Sequence, residues 1–200
     1  MRSASSIRPA DRWIAARPRL WRLLNPSGPP TTAASQSVRT VNPRHRAVVI
    51  GYGPTGRTVV RLLRENGIEP TVVELNINTL RELRRDGVEV IYGDATQPQT
   101  LAGARVGSAG TLILAAAGMA NSVGVIRAAR ELNPAIRVLA RAPYLRDLAA
   151  LKEAGADTVY SGEGEVALAI TEDILESLGA TPEQIDRERE RAHHELFGHA

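Results

Sequence analysis

From Ala47 to Gly179 the chain alternates short apolar runs rich in Val, Ile and Leu with longer stretches whose apolar residues recur at helical spacing. The unbroken runs predict strands at Ala47–Gly51, Pro70–Glu74, Val88–Tyr92, Gly110–Ala115, Ile136–Ala140 and Thr158–Tyr160. The periodic stretches predict helices near Thr55–Asn66, Asn76–Asp86, Pro98–Ala102, Ala120–Leu132 and Leu145–Ala154. Gly67, Gly87 and Gly155 stand where a left-handed C-terminal cap is expected. Strands without polar alternation need both faces covered, which a parallel sheet between two helix layers provides. The expected fold is therefore α/β: a Rossmann-like three-layer arrangement with a six-stranded parallel sheet in the order 3-2-1-4-5-6.

A last core helix is expected over Val166–Leu178, where Val166, Ile170, Ile174 and either Ser177 or Leu178 form one stripe with Leu175 alongside, closed by Gly179. Thr181, Pro182, Glu183 and Gln184 then read as a capping box with proline at the first helical position. The helix it opens is highly charged, and its apolar residues Ile185, Ala192 and Leu196 are sparse. A solvated or partly disordered tail is expected over 180–200, rather than a partner-binding element.

Residues 1–45 have a different character. "NPSGPPTTAASQS", Asn25 to Ser37, reads as a flexible linker. Before it, "WIAARPRLWRLL" sets Trp13, Ile14, Leu20, Trp21, Leu23 and Leu24 among arginines. That segment reads as a disordered basic leader, as a membrane-surface or juxtamembrane stretch making peripheral contact through residues 12–24, or as a transit peptide. The organisation expected is a leader over 1–45, a Rossmann-like domain over 46–179, and a charged helical tail over 180–200.

Charge sharpens this division. Residues 1–46 hold nine arginines and one acid, Asp11, whereas residues 47–200 hold sixteen basic and twenty-one acidic side chains. The formal net charge of +3 thus conceals an acidic domain behind a basic leader. With one Phe, four Tyr and two Trp, the chain also has little stacking surface, and no nucleic-acid partner is expected. It contains no Cys, which excludes disulfides, thiolate nucleophiles and Cys-ligated metals and fits a reducing cytoplasm. The longest uncharged run, Val106 to Ile126, is interrupted by Gly107, Ser108, Gly110, Gly118, Asn121, Ser122 and Gly124. It is too polar for a span of roughly 20 predominantly apolar residues, so it reads as strand, loop and helix.

Chemistry concentrates where the first strand meets the first helix. Gly51-Tyr52-Gly53-Pro54-Thr55-Gly56 has the spacing G-x-G-x-x-G, follows a strand and opens a helix, and Glu74 ends the next strand. This is the context of a dinucleotide fingerprint. Gly51 permits the tight turn, Gly53 lets a pyrophosphate approach the backbone, and Gly56 lets helix and strand pack closely; the amides of Thr55 and Gly56 serve the anion where Pro54 has none. The Glu74 carboxylate suits ribose hydroxyls and repels a 2'-phosphate, which favours NAD(H) or an AMP- or ATP-type adenine nucleotide over NADP(H); the alternative is an acid facing solvent at a strand end. Asp94, Ala95 and Thr96 emerge at the same sheet edge, either lining an adenine pocket or forming an Asx turn. Small residues from Ala115 to Gly118 either let a cofactor pass or serve packing, and Asn121 meets a ribose or caps a helix. Arg141, closing the fifth strand, meets a phosphate or carboxylate of a ligand or a salt-bridge partner.

Other residues weigh against hydride chemistry. Lys152 is the only lysine, so no Tyr-x-x-x-Lys pair exists, and His45, His193, His194 and His199 all lie away from strand carboxyl ends. A small NAD-dependent oxidoreductase or epimerase is the alternative to a non-catalytic sensor.

With the fingerprint, "TVVELN", "VIYGDAT", "LILAAAG" and "RVLARA" in this order, the chain from about Arg46 to Gly179 resembles the regulator-of-potassium-conductance N-terminal domain, also called the Trk-type NAD-binding domain. Versions at the cytosolic end of Kef-type cation/proton antiporters are the most similar in these motifs, and the leader looks like the segment that joins such antiporters to their regulatory domain. The resemblance implies a homodimeric gating module at the cytoplasmic face of the membrane, in which NAD(H) or an AMP-type nucleotide biases a membrane transporter or antiporter partner. It carries over Gly51, Gly53 and Gly56 for the phosphates, Glu74 for the ribose, and Asp94 with Thr96 near the adenine. It matches Val166–Leu178 to the crossover helix that packs on the partner subunit. The sequence holds no membrane domain and runs about twenty residues past Gly179, so a detached regulatory subunit or a truncated antiporter product is expected. Kef proteins commonly place Arg where Pro54 stands, a departure that argues against glutathione-type gating.

Overall fold

The computed structural model describes residues 45–116, 118, 119 and 121–198; the readings of the leader, including residues 12–24, lie outside them. The chain order is β1 (Arg46–Ile50), α1 (Pro54–Glu65), β2 (Glu69–Glu74), α2 (Ile77–Arg85), β3 (Glu89–Tyr92), α3 (Pro98–Gly103), β4 (Thr111–Leu114), α4 (Ser122–Leu132), β5 (Arg137–Ala142), α5 (Leu148–Glu153), β6 (Thr158–Ser161), α6 (Gly162–Ser177) and α7 (Pro182–Phe197), with short 3-10 turns at Val106–Ser108 and Leu145–Asp147. All strand pairs are parallel, and the sheet order is β3-β2-β1-β4-β5-β6, as the sequence pattern predicts. No helix among the described residues is long and apolar enough to cross a membrane.

Two hydrophobic layers flank the sheet. On one side Val60, Leu63, Leu80 and Leu83 of α1 and α2 pack on Ala47, Val49, Val72 and Val90. On the other, Leu101, Val125, Ile126, Leu148 and Leu151 pack on Val48, Ile50, Leu112, Leu114, Val138 and Ala140. Each fully buried Val or Leu contributes about 1.5–3 kcal/mol, so these layers fix the register of the strand ends. Covering is incomplete, however. On the α1–α2 side of the sheet, Ile113, Leu139, Arg141 and Tyr160 of β4, β5 and β6 are only half-buried, whereas their neighbours Leu112, Val138, Ala140 and Val159 on the opposite side are buried. The expected three-layer arrangement is present, with this strip less completely covered than β1 to β3.

Caps set the helix limits. Asn76 accepts from the amides of Asn78 and Thr79 at the start of α2, and Asn121 accepts from Gly124 N at the start of α4. Gly67, Gly87 and Gly155 adopt positive φ at the predicted helix ends. The expected helix Leu145–Ala154 is broken into a 3-10 turn and α5. The last core helix starts earlier than predicted, at Gly162 behind the Ser161 cap. Its first turn contains Gly162 and Gly164, which weaken the sequence signal, and also Glu163 and Glu165, which favour the positive end of the helix.

The tail is a continuous helix with the capping box predicted at Thr181 and Gln184. It is not simply solvated. α7 turns back along α6, where Arg189 Nε meets Glu172 Oε1 at 3.0 Å, and its last residue, Phe197, packs against the core. A Cβ on Gly164 would lie 2.5 Å from Phe197 Cζ, so the ring seats there because position 164 has no side chain.

Candidate functional site

The carboxyl edge of β1 and β2 forms one hydrogen-bonded unit. Gly51 leaves the strand at φ 89, and its amide still donates to Val73 O at 2.9 Å. A Cβ there would meet Ala116 Cβ at 2.7 Å, and one on Gly56 would collide with the Gly51 carbonyl. These two glycines are therefore required by packing. Gly53 differs: nothing lies within 4 Å of a Cβ placed on it, so open space stands over the loop where a phosphate would approach. Gly53 is the N-cap of α1, no side chain caps this helix, and Pro54 occupies its first turn. Among the described residues the amides of Thr55 and Gly56 thus have no side-chain acceptor, the condition for anion binding at a helix start.

Glu74 is tied into the loop. Its Oε2 accepts from Tyr52 N at 2.8 Å, and its Oε1 accepts from Leu75 N at 2.8 Å and Asn76 N at 2.9 Å. A carboxylate has about four acceptor positions, so three are occupied by backbone amides. The free position is on Oε2, beside the Tyr52 amide. This is neither an acid idling in solvent nor one held open for two ribose hydroxyls.

Asp94 accepts from Thr96 N at 2.9 Å, forming the Asx turn, while Ala95 between them is buried. The turn is held against β2 by Gly93 N donating to Glu74 O at 3.3 Å, so it stands beside the glycine loop. Ala115 is buried, and its amide and that of Ala116 both donate to Ile50 O at 3.0 Å, closing the crevice floor. Asn121 serves as a cap. Arg141 projects past Gly162 at the end of β5, one strand beyond Ala115, with no salt bridge to any described residue.

Arg57 was not singled out by the sequence pattern. Its Nε donates to Tyr52 O at 3.3 Å and its guanidinium lies 5.6 Å from the Tyr52 ring centroid, which places a cation on the loop. The available signal was its position, three residues after Pro54 and hence one helical turn along. Among the described residues no group of three His, Asp or Glu side chains is placed to hold a metal ion.

The TrkA-N domain model matches residues 47–162. Among solved structures, the TrkA-N domain of the inner membrane protein ybaL from Escherichia coli is 31% identical, with a TM-score of 0.61 over 63% of this chain and 93% of that one. The Kef C-terminal domain of Shewanella denitrificans, determined with AMP bound, is 21% identical, with a TM-score of 0.62 over 76% of this chain and 92% of that one. The GsuK channel, determined with NAD bound, is also 21% identical, with a TM-score of 0.57; the match covers 81% of this chain but only 28% of the channel chain. At that level of identity the last two likenesses establish a shared fold. The glycine loop, the sheet order and the match over residues 47–162, more than half of the chain, lead to one conclusion: the chain belongs to the TrkA-N domain family.

Proposed function

We propose that this chain is a non-catalytic, dimeric regulatory domain that binds NAD(H) or an AMP-type adenine nucleotide and gates a monovalent cation transporter or antiporter at the cytoplasmic face of the membrane. The observation that carries the reading is the uncapped helix start at Thr55 and Gly56, open in front of Gly53 and joined through Tyr52 N to Glu74 Oε2. Phosphate and ribose subsites are then adjacent on one loop. Leu75 beside Glu74 supplies an exposed apolar surface and the Asp94–Thr96 turn a wall, which together suit an adenine ring. The similar Kef domain carries AMP and the similar GsuK channel carries NAD in their solved forms, in keeping with this ligand class.

Two surfaces support a dimer. Val166, Ile170 and Ile174 along one side of α6 and Leu178 at its C-cap are 58%, 55%, 51% and 76% exposed, and the strip of Ile113, Leu139 and Tyr160 is incompletely covered. A second copy offers the apolar surface each one lacks. Gating then requires the nucleotide to bind one state of the dimer better than the other. A basic leader contacting anionic lipid through residues 12–24 is part of the same reading.

Chemistry would need a general base at the crevice. Among the described residues, His45 precedes β1, Lys152 lies in α5 and His193 and His194 in α7, none of them in the glycine loop, the Asp94 turn or the end of β5, and the carboxylates that are there, Glu74 and Asp94, already accept backbone amides. The test is direct: NADH mixed with the protein and candidate carbonyl substrates is expected to raise the melting temperature without steady loss of its absorbance. Steady turnover would overturn the regulatory reading in favour of an oxidoreductase.

A further inference from the structure

Charge is unevenly placed across the domain. Of the sixteen basic and twenty-one acidic side chains in residues 47–200, α1 and α2 hold six arginines and two acids, Glu65 and Glu82, which leaves ten basic against nineteen acidic for the rest. Counting in the flanking Glu69 and Asp86 still leaves six against four. The two helices lie side by side over β1 to β3, and all six arginines are exposed. The acids gather beyond the opposite edge strand: α6 and α7, which follow β6, hold ten acids and three arginines. Basic and acidic layers thus stand at opposite ends of the sheet.

The arginines are ordered along each helix. Arg57, Arg61 and Arg64 follow at i, i+4 and i+7 on α1, and Arg81, Arg84 and Arg85 at i, i+3 and i+4 on α2, so each helix carries one stripe. Helix polarity accounts for Arg64, Arg84 and Arg85, which lie in last turns, but not for Arg57 or Arg81, nor for two first turns without an acid. Arg61 pairs with Glu65 and Arg57 with the Tyr52 carbonyl, whereas Arg64, Arg81, Arg84 and Arg85 make no hydrogen bond or ion pair with any described residue. Leu62 and Ile77 on the same helices are exposed. Each helix runs back to the amino edge of the sheet, so Arg64, Arg84 and Arg85 stand away from the glycine loop. β1 begins at that edge, and there it joins the stretch that has nine arginines and one acid over residues 1–46.

We infer that the α1–α2 face seats on anionic lipid headgroups, adding a contact within the folded domain to the leader contact proposed above. A plane of phosphates matches two parallel stripes of cations, whose long stems let the guanidinium groups reach headgroups while Leu62 and Ile77 enter the boundary. The acidic end of the sheet is then turned away from the negative surface, which sets the orientation. The acidic helices of a second copy suit the patch less well, because Glu172, Glu188 and Glu195 are already paired with arginines of α7. The inference stands on charge placement and does not depend on the nucleotide crevice.

Vesicle sedimentation of the full chain, with phosphatidylcholine alone and mixed with phosphatidylglycerol, tests this on wild type and three triple variants. The first is Arg64→Gln, Arg81→Gln and Arg85→Gln; the second changes the same positions to Lys; the third is Arg127→Gln, Arg146→Gln and Arg187→Gln, an equal charge change on exposed residues elsewhere. Wild type is expected to bind only the anionic vesicles, more weakly as salt rises, and the first variant to bind at least tenfold more weakly. The second and third should stay within about threefold of wild type, with melting temperatures unchanged in all three. Absence of binding by wild type overturns the inference, as does equal binding by wild type and the first variant, which would leave the contact to the leader. Equal weakening in the third variant also overturns it, making net charge rather than the patch responsible. Loss of a low-salt self-association in the first variant, followed by light scattering, with vesicle binding unchanged, assigns the patch to the acidic helices of a second copy instead.

Discussion

The Tyr52 amide donates to Glu74 Oε2 at 2.8 Å, which ties the glycine loop to the last residue of β2. Gly51 N in turn donates to Val73 O, which joins the same loop to the sheet beneath it.

Replacing the acid by its amide separates structure from recognition. In Glu74→Gln one oxygen remains for Leu75 and Asn76, but the side-chain NH2 faces the Tyr52 amide, donor against donor. We expect a loss of about 1–3 kcal/mol in stability, together with faster hydrogen exchange at Tyr52. Exchange at Tyr52 unchanged from wild type would show that the bond does not hold the loop.

The second and third glycines of the loop are predicted to behave oppositely. Gly56→Ala drives a methyl into the Gly51 carbonyl and should cost roughly 2 kcal/mol or more. Gly53→Ala meets no neighbour and has an ordinary φ of -68, so its melting temperature should match or exceed wild type. Its methyl occupies the phosphate approach, and nucleotide affinity should fall at least tenfold. Calorimetry and thermal melts on both variants check the pair.

The apolar stripe of α6 gives the dimer prediction. Ile170→Asp places a charge on a residue that is more than half exposed, so the monomer fold should be unaffected. Light scattering is expected to show a dimer for wild type and a monomer for the variant. A monomeric wild type at micromolar concentration would remove the dimer from the account.

Much of the fold was legible because it follows from two periodicities. Apolar strands, helical spacing and glycine ends fix the sheet order. What was not legible depended on long-range contacts. α7 has few apolar residues, and its anchor, Phe197, sits fifteen residues after Pro182 against a glycine in another helix, a pairing no local pattern encodes. The glycine loop and Glu74 were legible from spacing, but the three amides on the Glu74 carboxylate were not, since backbone direction at a strand end is invisible in composition. Arg57 was missed because its relevance comes from folding back over Tyr52.

Phe197→Ala tests how firmly the tail is seated. The ring is partly buried, so a loss of about 2 kcal/mol is expected, less than the roughly 3–5 kcal/mol of a fully buried Phe. Proteolysis should then cleave α7 before the Rossmann core. Equal protease resistance would mean that the Arg189–Glu172 ion pair and the turn at Gly179 suffice to hold the helix.

The most direct test of the central claim is a nucleotide titration of wild type and Glu74→Ala, monitored by calorimetry and by thermal shift. Wild type is predicted to bind NADH or AMP saturably and to gain roughly 2.7 kcal/mol at a hundredfold excess of ligand over the dissociation constant, with Glu74→Ala binding at least tenfold more weakly. Equal binding by both proteins, or none by wild type, would contradict the assignment of this crevice to a nucleotide.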